Sequence, residues 1–349
     1  MARTDFHPLR VARVERLTDD SAAVTFEVPA GLEREFRFRP GQSLTIRRGE
    51  ARRSYSICAP YGRAPRIGVR EVAGGAVSSW LVHDVRPGDV VDAQPPAGSF
   101  TPDLSTPARH VLIAAGSGIT PMISIASSVL AASEESTVTL FYGNRRANTV
   151  MFADEVADLK DAHPARMQVC HVLSREPQEV ELFSGRLDAD RLRALLPITV
   201  DIETVDHWWL CGPFGMVTAA SDVLAELGVA RAKIHRELFY VEDEPPAEVH
   251  HEEAPPGPGA EVTVILDGRT STVTVPPGTV VLDGAQLARP DLPFACKGGV
   301  CGTCRAKVVS GAVAMRRNYA LEDDELSAGY VLTCQALPST EAVTVDYDA

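Results

Sequence analysis

Nowhere in the 349 residues does an apolar run approach the ~18 residues that a membrane-spanning helix requires, so no such span is expected. The opening stretch MARTDFHPLRVARVERL carries positive charge but no apolar core; it does not read as a secretory signal, and the cytoplasm is the expected compartment. Excess positive charge is also missing. The 34 basic and 47 acidic side chains leave a formal net charge of −13, which argues against a nucleic-acid binder. Neither a catalytic triad nor a working pair of carboxylates is evident.

What is present is ordinary in bulk and uneven in detail. An apolar fraction of 45% and a charged fraction of 23% suit a globular chain of two or three domains. Residues 1–240 hold 27 basic and 30 acidic side chains, and residues 241–349 hold 7 and 17, so most of the negative charge lies in the last third. Glu242 to Glu253 alone contributes six acidic groups. Such a surface steers a basic partner or simply keeps a linker solvated.

The densest chemistry is Cys296-Lys297-Gly298-Gly299-Val300-Cys301-Gly302-Thr303-Cys304, with Cys334 further on. C-x4-C-x2-C followed by a distant fourth cysteine is the ligand spacing of a plant-type [2Fe–2S] cluster. Gly298, Gly299 and Gly302 would let backbone N–H groups approach sulfur, which eases the arrival of negative charge on the cluster. Zinc is the alternative, but its sites usually show two close C-x-x-C pairs. A disulfide is disfavoured in a chain without a secretion signal.

Texture divides the chain into four stretches. Residues 1–104 read as an antiparallel β-barrel: Val24, Phe26 and Val28 alternate with polar residues, and Pro-Gly and Gly-Gly turns punctuate short apolar runs. Residues 105–240 alternate strand and helix, the pattern of an α/β domain with a parallel sheet. Within it, His110–Ala115 is a buried strand, Thr120 suits an N-cap and Pro121 the first helical position; a helix is also expected over Met151–Asp161. Residues 241–259 are acidic and Pro-rich, a linker of 19 residues able to reach about 60 Å at ~3.1–3.3 Å per residue. Residues 260–349 form a small α+β domain around the cysteines, with an acidic helix over Leu321–Ala328.

Two phosphate-approach sites precede the cysteines. Arg53-Ser54-Tyr55-Ser56 offers an arginine and a ring for stacking, and Gly74-Gly75-Ala76-Val77-Ser78-Ser79 a Gly turn into a short helix whose N–H groups suit a pyrophosphate. Gly116-x-Gly118-x-x-Pro121 between strand and helix is the second, with Pro121 where a Rossmann unit carries its third glycine. Ser174-Arg175 after a later strand is either a 2′-phosphate contact or an exposed loop. Cys211-Gly212-Pro213 follows another strand at the edge where ligands gather.

In combination, Arg53-x-Tyr55-Ser56, the Gly75–Ser79 loop, GSGITP, CGPFGM and Glu237-Leu238-Phe239 resemble ferredoxin–NADP reductase-type flavoproteins, and the C-terminal stretch resembles plant-type ferredoxin with its β-grasp fold. That order of modules is similar to the reductase components of bacterial oxygenases. HVLSREP, LFSGRLD and MRRNYALEDDELSAGYVLTCQA most resemble reductase subunits of phenylacetyl-CoA epoxidases. The resemblance implies FAD, NADPH or NADH, a [2Fe–2S] cluster, and an oxygenase component as partner. The epoxidase, a Rieske ring hydroxylase and a steroid hydroxylase are the partners to distinguish, and a flavin/iron–sulfur redox sensor is the reading from another class. It further implies that Arg53, Gly75, Val77, Ser78 and Ser79 meet the FAD pyrophosphate and Tyr55 packs on the flavin. Ser56, Thr120 and Cys211 would stand at the reacting centre. Gly116, Thr120, Pro121, Cys211, Gly212 and Pro213 would border the nicotinamide, Ser174 and Arg175 would favour NADPH, and Phe239 would cover the flavin. Cys296, Cys301, Cys304 and Cys334 would hold the iron.

Overall fold

In β1 (His7–Thr18) the side chains of His7, Leu9 and Val11 are buried while Pro8, Arg10 and Ala12 face out, the two-residue period of a strand with one face on a core. β2 (Ser21–Glu27), β3 (Ser43–Arg48), β4 (Ala51–Ser56), β5 (Arg66–Arg70) and β6 (Val90–Ala93) complete an antiparallel sheet in the order β4-β3-β6-β1-β2-β5. A bridge between Ile57 and Ile67 and a 2.8 Å bond from Cys58 N–H to the Arg66 carbonyl tie the end of β4 to β5, closing the sheet into a barrel. Leu9, Phe26, Leu44, Ile46 and Ile67 fill it. The computed structural model describes residues 5–239, 259–321 and 323–349, and His7–Phe239 is one compact unit within it. The expected linker, apart from Gly259, lies outside the described residues.

The helix α1 (Ala76–Ser79) follows Gly74, whose φ of +73° a side chain would resist. Beyond the barrel come β7 (Arg109–Ala115), α2 (Ile119–Ala132), β8 (Thr137–Asn144), α3 (Ala153–Ala162), β9 (Met167–Leu173), α4 (Ala189–Thr199), β10 (His207–Pro213), α5 (Phe214–Glu226) and β11 (Ile234–Phe239). The strands lie parallel in the order β11-β10-β7-β8-β9. The chain leaves β7 toward β8 on one side and returns as β10 on the other, so the switch point opens between β7 and β10.

The start of α2 differs from the expected cap. The turn Gly116–Gly118 runs directly into the helix, so Gly118 is the cap and Ile119 the first helical residue. The Thr120 hydroxyl donates to the Ser117 carbonyl at 3.0 Å. α3 starts two residues later than expected because Phe152, at φ +57°, breaks the helical path before it.

Barrel and parallel sheet interlock. The Ser124 hydroxyl on α2 donates to the Ala59 carbonyl (2.6 Å), and Tyr61 N–H donates to Ser128 Oγ (2.9 Å). Arg66 of β5 pairs with Glu155 of α3 at 2.7 Å and with Glu15 of β1 at 3.0 Å. Gly68 is small for a reason: a Cβ there would stand 2.4 Å from the Thr120 methyl.

The C-terminal unit has its own core of Val262, Val264, Leu282, Leu332 and Val345. Its elements are β12 (Ala260–Leu266), β13 (Arg269–Val275), α6 (Val281–Ala285), β14 (Arg305–Ser310), β15 (Val313–Met315), α7 (Asp323–Ser327), β16 (Tyr330–Leu332), β17 (Ala336–Pro338) and β18 (Ala342–Asp346). Strand order β13-β12-β18-β14-β16, with β12 and β18 parallel, gives the mixed sheet of a β-grasp fold. α7 is shorter than the expected Leu321–Ala328, because Asn318 holds both the N–H and the carbonyl of Leu321 in a turn.

Candidate functional site

The switch point brings distant sequence together. A Cβ on Gly118 would lie 2.1 Å from the Cys211 carbonyl oxygen, so only glycine lets the turn after β7 rest on the end of β10. Gly116 takes φ +55°, beside Arg70. Gly212 packs closely against Ala115 as well. Gly116, Gly118, Cys211, Gly212 and Pro213 therefore meet along one edge at the strand ends, with Gly118, Cys211 and Gly212 buried, Gly116 half-buried and Pro213 exposed. Thr120 and Pro121 are buried behind it, and Thr120 points its methyl at Gly68.

Facing that edge, β4 carries the exposed Arg53, the half-buried Tyr55 and the buried Ser56. Tyr55 packs against the barrel core, and burial raises its phenol pKa. α1 packs on β3 and β4. Val77 and Ser78 bury their side chains there, and the Ser78 hydroxyl accepts from Val72 N–H (3.1 Å) and donates to the Gly75 carbonyl (3.3 Å). The loop thus offers an anion its first-turn N–H groups, not the Ser78 hydroxyl. Arg48, which no sequence motif marks, braces this loop: it donates to the Ala76 carbonyl at 2.8 Å and lies over the Trp80 ring at 5.1 Å.

Between the two faces sits a residue that the sequence shows only as part of a motif. Glu237, on β11, accepts from the Ser56 hydroxyl at 3.1 Å and stands 4.0 Å from the Cys211 sulfur. Burial pushes its carboxyl up to about 7, against the opposing pull of the Ser56 hydrogen bond. The buried Cys211 thiol is raised well above its usual value by burial and by Glu237. Ser56, Cys211 and Glu237 form a hydroxyl, a neutral thiol and a carboxyl that can hold a proton near pH 7. Phe239, two residues on, pairs with Pro213 and packs half-buried at the same edge.

At the ends of β8 and β9 the Ser174 and Arg175 N–H groups donate to the Asn144 and Arg145 carbonyls at 2.9 and 2.8 Å. Arg145, Arg146 and Arg175 are exposed here. Among the described residues neither Arg145 nor Arg175 has an ion pair. Arg145-Arg146 is a basic pair directly after a strand, a local signal that a search for phosphate contacts could have picked up from the sequence.

The C-terminal unit sets Cys296 beside Cys301 and Cys304 beside Cys334. All are free thiols. The thiol of Cys301, followed by the N–H groups of Gly298, Val300 and Cys301, pushes Cys296 down to about 5 against burial. Cys334 is lowered chiefly by the Cys304 thiol. The loop differs in detail from expectation: Gly299 (φ +79°) and Gly302 (φ +67°) are left-handed, but Lys297 (φ +53°) takes that conformation in place of Gly298. Lys297 is held there by Asp283 at 2.8 Å, Gln286 at 3.1 Å and the Phe294 ring at 4.7 Å. Soft sulfur donors ringed by N–H groups fit a [2Fe–2S] centre, whose binding would expel the remaining thiol protons.

A nucleotide edge facing a barrel in one unit, and a four-thiol loop in the other, define an iron–sulfur oxidoreductase. The sequence profile of the 2Fe-2S iron-sulfur cluster binding domain matches residues 264–339, and that of the oxidoreductase NAD-binding domain matches residues 112–222. The chain is 41% identical to one of the subunits of the 1,2-phenylacetyl-CoA epoxidase of Escherichia coli (strain K12), over 99% of both chains. It is 34% identical to the ferredoxin reductase component of 3-ketosteroid-9-alpha-monooxygenase from Rhodococcus rhodochrous, over 97% of this chain and 96% of that one. The structure superposes on phthalate dioxygenase reductase with a TM-score of 0.61, covering 98% of both chains at 22% identity, which establishes the shared fold. The chain belongs to the ferredoxin–NADP reductase-type oxygenase reductases that carry a C-terminal plant-type ferredoxin domain. Among the described residues no helix is long and apolar enough to cross a membrane.

Proposed function

We propose that this chain draws electrons from NADPH and delivers them, through FAD and the [2Fe–2S] centre, to the oxygenase component of a phenylacetyl-CoA epoxidase in the cytoplasm. When bound, FAD accepts electrons as a pair and releases them singly, and the iron–sulfur centre accepts them one at a time. The protein's share is to position and to shield. Residues 1–104 are the flavin domain, in which Arg53 and the loop of Gly75, Val77, Ser78 and Ser79 hold the pyrophosphate and Tyr55 and Phe239 flank the ring. Residues 105–240 hold the coenzyme. There Gly116, Thr120, Pro121, Gly212 and Pro213 set the nicotinamide shelf, and Ser174, Arg175 and Arg145 bind a 2′-phosphate. Ser56, Cys211 and Glu237 keep a proton at the junction. Residues 241–259 connect this half to the ferredoxin domain, 260–349, where Cys296, Cys301, Cys304 and Cys334 ligate iron.

The observation that carries the reading is the meeting of Ser56 and Glu237, 181 positions apart, across the barrel and the parallel sheet. The identity to the epoxidase polypeptide over the whole chain favours that acceptor, and the steroid monooxygenase reductase is the second reading. An anaerobic NADPH titration followed by absorbance should bleach flavin and iron–sulfur bands in turn. The reduced protein should then support turnover of the epoxidase oxygenase and not of a 3-ketosteroid 9α-hydroxylase. Absence of either chromophore, or preference for the steroid enzyme, contradicts the reading.

A further inference from the structure

Gln335 follows the last cluster cysteine and is 8% exposed. Its backbone is fixed on both sides: its N–H donates to the Leu332 carbonyl at 2.8 Å and its carbonyl accepts from Arg316 N–H at 2.9 Å. The side chain turns back over the cysteine loop. Its Nε2 stands 2.9 Å from the Lys297 carbonyl, 2.8 Å from the Cys334 carbonyl and 3.6 Å from the Cys334 sulfur. All three neighbours are acceptors, so the amide NH2, not its carbonyl, faces them, one N–H on the Lys297 carbonyl and the other shared between the Cys334 carbonyl and sulfur. Gly299, at φ +79°, lies beneath the side chain, where a Cβ would approach Gln335 Cγ to 3.0 Å. The left-handed conformation at Lys297 is costly for a residue with a Cβ, and the carbonyl of this same residue accepts from Gln335.

We propose that Gln335 is a positioning residue for the iron–sulfur centre, its amide clamping the 296–304 loop through Lys297 while donating to the Cys334 sulfur. The proposal rests on the [2Fe–2S] reading above. A donor aimed at a ligand sulfur stabilises the extra negative charge of the reduced centre, so it makes reduction easier. The same amide bridges the two ends of the ligand set, 38 positions apart, and resists their separation.

Two variants of the full-length protein test this. Gln335→Met keeps the volume and removes the donor; Gln335→Glu keeps the shape and turns an acceptor toward three acceptors. A redox titration followed by electron paramagnetic resonance should give a more negative potential for both. Loss of the centre to bathophenanthroline should run about tenfold faster in Gln335→Glu, the scale at which outer-shell partners act. Should Gln335→Glu fail to fold, Gln335→Met carries the test by its potential alone. Wild-type potentials in the variants that fold would overturn the role of Gln335, whatever happens to the rate of loss. A wild-type protein without [2Fe–2S] absorbance would overturn the underlying reading and this proposal together.

Discussion

The two units build their sites in opposite ways. The cysteine unit concentrates its chemistry in one loop: three of the four sulfurs fall within nine residues, and the Cys301 thiol and backbone N–H groups of the same loop lower Cys296. The His7–Phe239 unit scatters its site over β4, β7, β10 and β11, and closure of a barrel against a parallel sheet brings Ser56, Gly118, Cys211 and Glu237 together. A metal-holding loop can be local because the ion itself organises the ligands. A hydride-transfer site must fix two flat partners at about 3–3.5 Å, so it needs rigid elements on both sides. The first is sensitive to single ligands, the second to how the two halves dock.

That contrast can be broken at three points. The largest effect is expected where the scattered site meets the coenzyme. Replacing Arg145 and Arg175 together by alanine should raise KM for NADPH about 10- to 100-fold, the worth of one or two charge-assisted bonds, and leave NADH and the iron–sulfur spectrum unchanged. Equal losses with NADH would mean that these arginines hold up the fold and do not read the phosphate. Next in size, Arg66→Ala removes the partner of Glu155 and one of the two partners of Glu15, which keeps Arg13. Arg66 is enclosed while Glu155 is partly wet, so a cost of about 1–3 kcal/mol is expected, between exposed and buried pairs. Thermal release of flavin should move down while loss of the iron–sulfur absorbance stays in place; a joint shift would deny the units their independence. The smallest effect concerns Glu237. Its folded carboxyl titrates near 7, above the ordinary carboxylate range, so the protonated form is the one the fold prefers. Stability from this group is therefore full below the unfolded value and is lost as pH rises through about 7. Melting curves of wild type and Glu237→Gln should diverge across that window, with the wild type falling; parallel curves would place the titration elsewhere.

The same contrast explains what could be read without a structure. The cysteines, the GSGITP turn and the barrel strands are local patterns, and the period-two burial at the start of β1 follows from them, whereas β2 buries Ser21 to Val24 without alternation. Glu237 was visible as part of Glu237-Leu238-Phe239, but a carboxylate's role depends on what surrounds it, and its neighbours are supplied by β4 and β10. α4 escaped because Pro197 in its last turn masks a helix that the Asp188 cap and Leu192, Leu195 and Leu196 announce. Thr120 looked like a cap because its residue type suits one; the preceding glycine turn took that place. Lys297 could not be foreseen in a left-handed conformation next to glycines better suited to it, since its anchors Asp283 and Gln286 lie outside the loop.

The central claim is a division of labour: pairs of electrons are handled within His7–Phe239, and single electrons leave through the cysteine unit. Anaerobic stopped-flow of full-length Cys301→Ser with NADPH tests it most directly. The flavin band should bleach at the wild-type rate while delivery to the epoxidase oxygenase component is lost. Delivery at the wild-type rate by a variant shown to lack the iron–sulfur absorbance would contradict the account.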